Sequence, residues 1–261
     1  MGSSKRVRYP ELLYGSGDPR TIPVSKTPLD LSDGSNITIE NAEIFYTLYE
    51  LKMSIAEAIL PSSLHPSIPA LFSVTFVSGE HETTGSFNLA YIGIACRTGI
   101  KPRHLITKSF CDNEVALKLF ATRYGFNPSL AEVSCRETYD RVNGTIRHED
   151  RTVADISIGN CIPLVGSGGV VKYSPALNAC ELNNQTKLIQ FEANYEFKTV
   201  IRGEPSDQVF DSNELGHEGL STHYPVAGTH AVADINLLPA RFQVDLVNPA
   251  ETGGATKITR A

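Results

Sequence analysis

Residues 189–201 read IQFEANYEFKTVI, and this stretch decides the fold class. Ile189, Phe191, Ala193, Tyr195, Phe197, Thr199 and Ile201 alternate with Gln190, Glu192, Asn194, Glu196 and Lys198. A period of two over that length predicts one long, half-buried strand of an antiparallel sheet. Shorter versions occur at residues 71–77, 86–96, 154–158 and 242–246. Helical signals are fewer. Residues 53–60 place Ile55, Ala56 and Ile59 on one face and stop at Pro61. A second helix, capped by Asp112 or Asn113, carries Ala116, Leu119, Phe120 and Arg123 along one side and ends at Gly125. The pattern is α+β and mainly antiparallel β, a barrel or sandwich with a few short helices.

The 261 residues, 41% hydrophobic and 20% charged, supply enough apolar material for a large core. A net charge of -6 leaves no basic footprint for nucleic acid or anionic lipid. Residues 1–38 are rich in Pro, Gly and Ser and read as an extended arm, 39–250 as one folded domain, and 251–261 as a flexible tail. The charged first residues lead into no apolar run, and no segment approaches the roughly 20 apolar residues of a membrane span. Five widely spread cysteines without a C-x-x-C fit reduced thiols, so the expected location is cytoplasmic.

Single motifs identify no chemistry. His217–His223 (HEGLSTH) lacks the one-turn histidine spacing of a zinc protease and reads as a solvated loop. Gly166–Gly169 carries neither the Lys-Ser/Thr of a phosphate loop nor nucleophile-elbow spacing, and reads as a turn. Cys111 could be a thiolate activated at a helix N-terminus, or a small buried hydrophobe. The seven histidines are scattered. No metal and no cofactor are expected.

Several segments, taken in order, are similar to the acetoacetate decarboxylase family. Leu60-Pro61-Ser62-Ser63-Leu64-His65-Pro66 resembles its early L-P turn, and Gly85-Ser86-Phe87-Asn88-Leu89 its G-x-Y-x-E strand. Asp112-Asn113-Glu114-Val115-Ala116, leading into Gly125-Phe126-Asn127-Pro128-Ser129-Leu130-Ala131, resembles its D-x-x-x-A…G-F-P-K-K-L-A block. Thr229–Ile235 followed by Leu238-Pro239 resembles its S-H-x-x-A-D-I-x-L-P strand. The order and spacing match over roughly residues 42–247. The resemblance implies an acetoacetate-decarboxylase-like barrel or sheet, and a homo-oligomer.

The departures bear on chemistry. In the family the first lysine of P-K-K forms a Schiff base with the substrate ketone, and the second lowers its pKa. Those positions fall on Pro128 and Ser129. The glutamate of G-x-Y-x-E falls on Leu89, an arginine falls near Ala42, and a further carboxylate falls at or near Phe72 and Ser73. Lys118 points off the apolar helix face and is no convincing substitute. One reading keeps a re-lined pocket, with Phe87, Leu89 and Tyr91 on one strand face and Phe126 and Pro128 beside them for substrate binding. Its polar groups would come from Tyr91, Asn127, Ser129, Glu132, Arg123 and His230. The other reading makes these residues core.

The expectation is a non-decarboxylating isomerase, cyclase or lyase. Its substrate would be a small carbonyl, enol or polyketide-like compound, and its setting secondary-metabolite biosynthesis. The alternatives are a non-catalytic carrier or sensor of an apolar molecule, and a decarboxylase with a relocated lysine.

Overall fold

The computed structural model describes residues 14–99, 101–164, 173–248 and 255–258. Strand β1 (Val24–Ser25) precedes β2 (Ile37–Glu50), helix α1 (Met53–Ile59), β3 (His65–Pro66) and β4 (Leu71–His81). Next come β5 (Gly85–Thr98), β6 (Lys101–Cys111), helix α2 (Glu114–Tyr124), β7 (Pro128–Leu130) and β8 (Glu132–Glu137). The chain continues through β9 (Arg141–His148), β10 (Arg151–Pro163), β11 (Ala176–Leu182), β12 (Gln185–Phe191) and β13 (Ala193–Phe210). Strands β14 (Pro225–Leu237), β15 (Phe242–Asp245) and β16 (Thr256–Lys257) follow. Both helices lie where expected, and the second is capped by the Asn113 side chain at its start and by Gly125 in the left-handed region at its end.

The strands form one large sheet in the order β16-β15-β12-β11-β6-β5-β4-β2-β14-β13-β10-β9-β8, with β1 on β11, β3 on β5 and β7 on β6. Pairing is antiparallel except for β1–β11, β6–β11 and β6–β7. Among the described strands no ladder joins β8 to β16, so the sheet is open and the barrel alternative gives way to a coiled sheet. Both faces of the central strands are buried. Phe72, Val74, Phe76, Ile92 and Ile94 face a core shared with Val142, Ile146 and Ile156. Phe87 and Leu89 face the other way, toward Ala116, Phe120 and Tyr124 of α2. A strand covered on both sides reads as a near-continuous apolar run, which is why LAYIGIAC (residues 89–96) shows so little alternation.

The opening stretch is not one strand. It breaks at Glu192, where the chain passes from β12, paired with β11 and β15, to β13, paired with β14 and β10. A bulge between Phe197 and Thr199 then shifts the phase of the alternation. The neighbouring strand β14 is irregular at Ala233–Ile235, and Asn41 of β2 has φ 51°. Lys198 Nζ ties these irregularities together, donating to Asp234 Oδ1 and Asn41 Oδ1 at 2.6 Å each. Bulges bend a sheet locally, and three adjacent strands bent together give the coil its curvature. Gln190, assigned to the solvent side, is buried and accepts from Arg103 Nε at 2.6 Å.

The N-terminal arm is stitched down from residue 15. The Gly15 and Gly17 amides donate to the Leu64 and Leu60 carbonyls at 2.8 and 2.9 Å. A Cβ at Gly15 would lie 2.0 Å from the Leu60 oxygen, so only glycine fits. At the other end Thr256–Lys257 pairs with Phe242–Gln243 and Ile258 is buried, so this part of the expected tail lies on the sheet. The glycine run at 166–169 lies outside the described residues. Among those residues no helix is long and apolar enough to cross a membrane.

Candidate functional site

On the α2 side of the sheet, four strands contribute polar side chains to an otherwise apolar wall. Tyr46 comes from β2, Ser73 and Thr75 from β4, Tyr91 from β5 and His104 from β6. Register places Ser73 opposite Gly93 and Thr75 opposite Tyr91, so these groups lie side by side. Tyr173, Ala176, Phe191 and Tyr195 complete a cavity offering about 30 Å³ to solvent. A water needs ~10–15 Å³ by that measure, so the space suits two or so waters or a very small organic molecule. Gly93 makes this room. A Cβ there would lie 3.0 Å from the His104 Cβ and 3.4 Å from Ser73 Oγ.

The wall is aromatic. Tyr173 packs edge-on against Tyr46 at 5.4 Å and against Tyr195 at 5.2 Å, and Tyr195 stacks on Phe197 at 5.7 Å. Behind it, Phe126 contacts Tyr91 at 5.9 Å and Phe191 at 5.2 Å. Burial disfavours charge, so every titratable lining group is driven toward its neutral form. It pushes the Tyr91 phenol up to about 12, against a smaller opposing effect of the Thr75 hydroxyl. It raises Tyr46, Tyr173 and Tyr195 well above the usual 10. It lowers His104 from the usual 6.5 to about 4.

Two atoms are left over. His104 Nε2 and Tyr173 Oη are both enclosed and both lack a hydrogen-bond partner. The Thr229 hydroxyl lies close enough to Tyr173 to influence it but also lacks a hydrogen-bonding geometry. With its proton on Nδ1, His104 is an unused acceptor and Tyr173 an unused donor. Buried polar groups are normally satisfied, at a cost of about 1–3 kcal/mol when they are not, so a small polar molecule in this space could supply the missing partners.

Of the residues singled out from the sequence, Tyr91 lines this cavity and Phe126 supports it. Phe87 and Leu89 share the strand face of Tyr91 but are core, Phe87 lying against Phe120 at 5.4 Å. Asn127, Pro128 and Ser129 line a separate recess with Lys108, whose ammonium sits over the Phe110 ring at 5.1 Å. Glu132 is exposed and pairs with Arg147 at 3.7 Å. Arg123 is buried and holds the arm, donating to Asp33 and, at 2.7 Å, to the Ser35 carbonyl. His230 is buried on the opposite face, between Glu43 and Glu137. Cys111 is fully buried and its thiol is shifted up, chiefly by burial, as a small hydrophobe would be. HEGLSTH is a turn in which His217 Nδ1 accepts from the Gly219 amide.

Tyr46, Thr75, His104, Tyr173 and Tyr195 were not singled out. One signal was present: Ser73 and Thr75 are polar at a spacing of two inside the apolar run LFSVTFV (residues 71–77), which puts both on one face of a buried strand. Nothing local distinguishes His104.

An open, coiled, mostly antiparallel sheet with a polar cavity against one helix-covered face defines an α+β class of protein. The family model for acetoacetate decarboxylase (ADC) matches residues 21–163, and the chain belongs to that family. The acetoacetate decarboxylase of Legionella pneumophila superposes with a TM-score of 0.68 at 16% identity, covering 84% of this chain and 90% of that one. An acetoacetate decarboxylase-like enzyme from Sphingomonas wittichii gives 0.64 at 14%, covering 89% and 96%. The enduracididine biosynthesis enzyme MppR, complexed with a condensation product of pyruvate and imidazole 4-carboxaldehyde, gives 0.64 at 14%, covering 79% and 88%. At these identities the likeness is one of fold. No curated protein matches the chain significantly.

Proposed function

We propose that the chain is a non-decarboxylating enzyme of the ADC family that enolises a small, uncharged carbonyl compound without forming a Schiff base. The observation that carries this is the unsatisfied pair, His104 Nε2 and Tyr173 Oη, in one cavity. The Tyr173 hydroxyl donates to the carbonyl oxygen and His104 Nε2 removes a proton from the adjacent carbon. The C–H electrons become the new C=C bond, and the carbonyl π electrons move to the oxygen, held by phenol donors. Tyr91 is a second donor from the same wall. Reprotonation at a different carbon makes the reaction an isomerisation, and loss of a leaving group makes it a lyase reaction.

Among the described residues the lining holds no lysine, arginine or carboxylate. A neutral substrate is therefore favoured over a β-keto acid, whose carboxylate would meet no cation. MppR is complexed with pyruvate; here the neutral lining points to a ketone or aldehyde rather than a keto acid. The small volume favours a compound of a few heavy atoms over a polyketide, which would need the tyrosines to move. A role in secondary-metabolite biosynthesis and a homo-oligomer that covers the open edges at β8 and β16 belong to the same proposal.

Incubation with acetone or hydroxyacetone in deuterium oxide tests it, with α-proton loss followed by NMR. Exchange faster than in buffer, reduced at least tenfold in Tyr173→Phe and in His104→Gln, is the expected result. Ligand that binds without exchange would make the protein a carrier. Carbon dioxide release from acetoacetate with a borohydride-trapped adduct would instead show a relocated lysine.

A further inference from the structure

Three strands distant in sequence converge on the sheet face opposite the tyrosine cavity. His230 of β14 lies on that face because Thr229, one residue earlier, faces Tyr173 and side chains alternate. Glu43 of β2 is its diagonal neighbour, since His230 pairs with Phe45. Cys135 of β8 arrives from the far end of the sheet. It pairs with Gly144 of β9, and at Gly144 any Cβ would lie 2.7 Å from the Phe76 ring and 2.9 Å from that of Phe45. Glycine there lets β9 press onto the β2–β4 surface and carries β8 over Glu43 and His230.

The ligating atoms of Glu43, Cys135 and His230 all lie within 4.8 Å of one another. His230 is 2% exposed, and its Nε2 stands 3.4 Å from Glu43 Oε2 without any hydrogen-bond partner. On the other side of the ring, Glu137 Oε2 is 3.6 Å from Nδ1. Thiolate, imidazole and carboxylate form the mixed donor set that zinc accepts at roughly 2.0–2.3 Å, with ligands about 3.5 Å apart. The present spacing reaches that by small side-chain movements. Both carboxylates are partly exposed, which leaves a path for the ion.

We propose that Glu43, Cys135 and His230 bind one divalent transition-metal ion of the zinc type, which clamps the open edge strand β8 to β2 and β14. Glu137 accepts the Nδ1 proton and orients the imidazole, as a carboxylate commonly does behind a metal-bound histidine. Water or the second Glu43 oxygen fills the fourth position. Binding converts the Cys135 thiol to thiolate and releases its proton to solvent. In the metal-free protein, burial beside Glu43 and Glu137 pushes that thiol up to about 12, and a bound cation reverses this preference.

The test is titration of the reduced, chelator-stripped full chain with Co²⁺, followed by displacement with Zn²⁺. One equivalent should bind with a near-ultraviolet thiolate-to-cobalt charge-transfer band and visible bands of four-coordinate cobalt, and Zn²⁺ should abolish both. Cys135→Ser should lose the charge-transfer band, whereas Cys161→Ser should keep it. If Cys135→Ser fails to fold, alkylation of the wild type replaces it, and Zn²⁺ should slow Cys135 modification at least tenfold. No charge-transfer band at saturating Co²⁺, a band surviving Cys135→Ser, or unprotected Cys135 would overturn the proposal.

Discussion

Neutral His104 has a measurable consequence for stability. In the unfolded chain its imidazole takes up a proton at about the usual 6.5, whereas burial in the cavity wall delays this to about 4. Between those values the unfolded state binds the extra proton, so acid favours unfolding. The His104 contribution to stability is therefore complete above pH 6.5, is lost as the pH drops toward 4, and changes no further below it. At about 1.4 kcal/mol per pH unit, the gap amounts to at most about 3.5 kcal/mol. Asp33 and Asp245, each held down at about 2, lose their support only below the usual 3.8, outside this window. Urea unfolding of the wild type and His104→Gln at several pH values from about 7 to about 4 measures the difference. The wild type should lose up to about 3 kcal/mol more than the variant over this range. Equal losses in the two proteins would refute the buried neutral imidazole, and with it the base assigned to the cavity. The imidazole NMR titration gives the same answer independently.

Gly93→Val should fill the space between Ser73 and His104, abolish carbonyl exchange, and cost about 1–3 kcal/mol in thermal or urea unfolding. Unchanged exchange would place the chemistry elsewhere. Gly125→Ala forces a side chain onto a residue at φ 70° with Cys180 Sγ only 2.9 Å from the new Cβ, and should cost about 1–3 kcal/mol in urea unfolding. Arg123→Gln removes the bonds to Asp33 and Ser35, so stability should fall by about 1–3 kcal/mol. Limited proteolysis should then cut faster within residues 26–36, with the cavity spectroscopically unchanged.

The sequence carried local facts well, because local physics sets them. Asn113 can cap a helix and Gly125 can end one whatever surrounds them, and both were legible. The strands at residues 71–77 and 86–96 were legible too, since β-branched and aromatic runs suit a pleated, buried surface. The ordered motifs carried the family, which matches residues 21–163. The long alternation at 189–201 was correctly read as β but not as two strands. A break at Glu192 and a bulge at Lys198 depend on partners, β14 and β2, that local periodicity does not reveal.

The site divided the same way. Tyr91 was singled out because its strand face could be counted, whereas Ser73 was noted only as a position at or near which the family has a carboxylate. Tyr46, His104, Tyr173 and Tyr195 come from four separate elements or segments, and only sheet register puts them around one cavity. Arg123 and His230 looked catalytic by residue type. Tertiary packing gave one to the arm at Asp33 and Ser35 and the other to the far face beside Glu43 and Cys135. Sequence alone thus determined the β class, the two helices and the family, through propensity, capping and motif order. Tertiary structure decided which polar groups share a buried space, because that depends on how distant strands pair and on where a glycine leaves room.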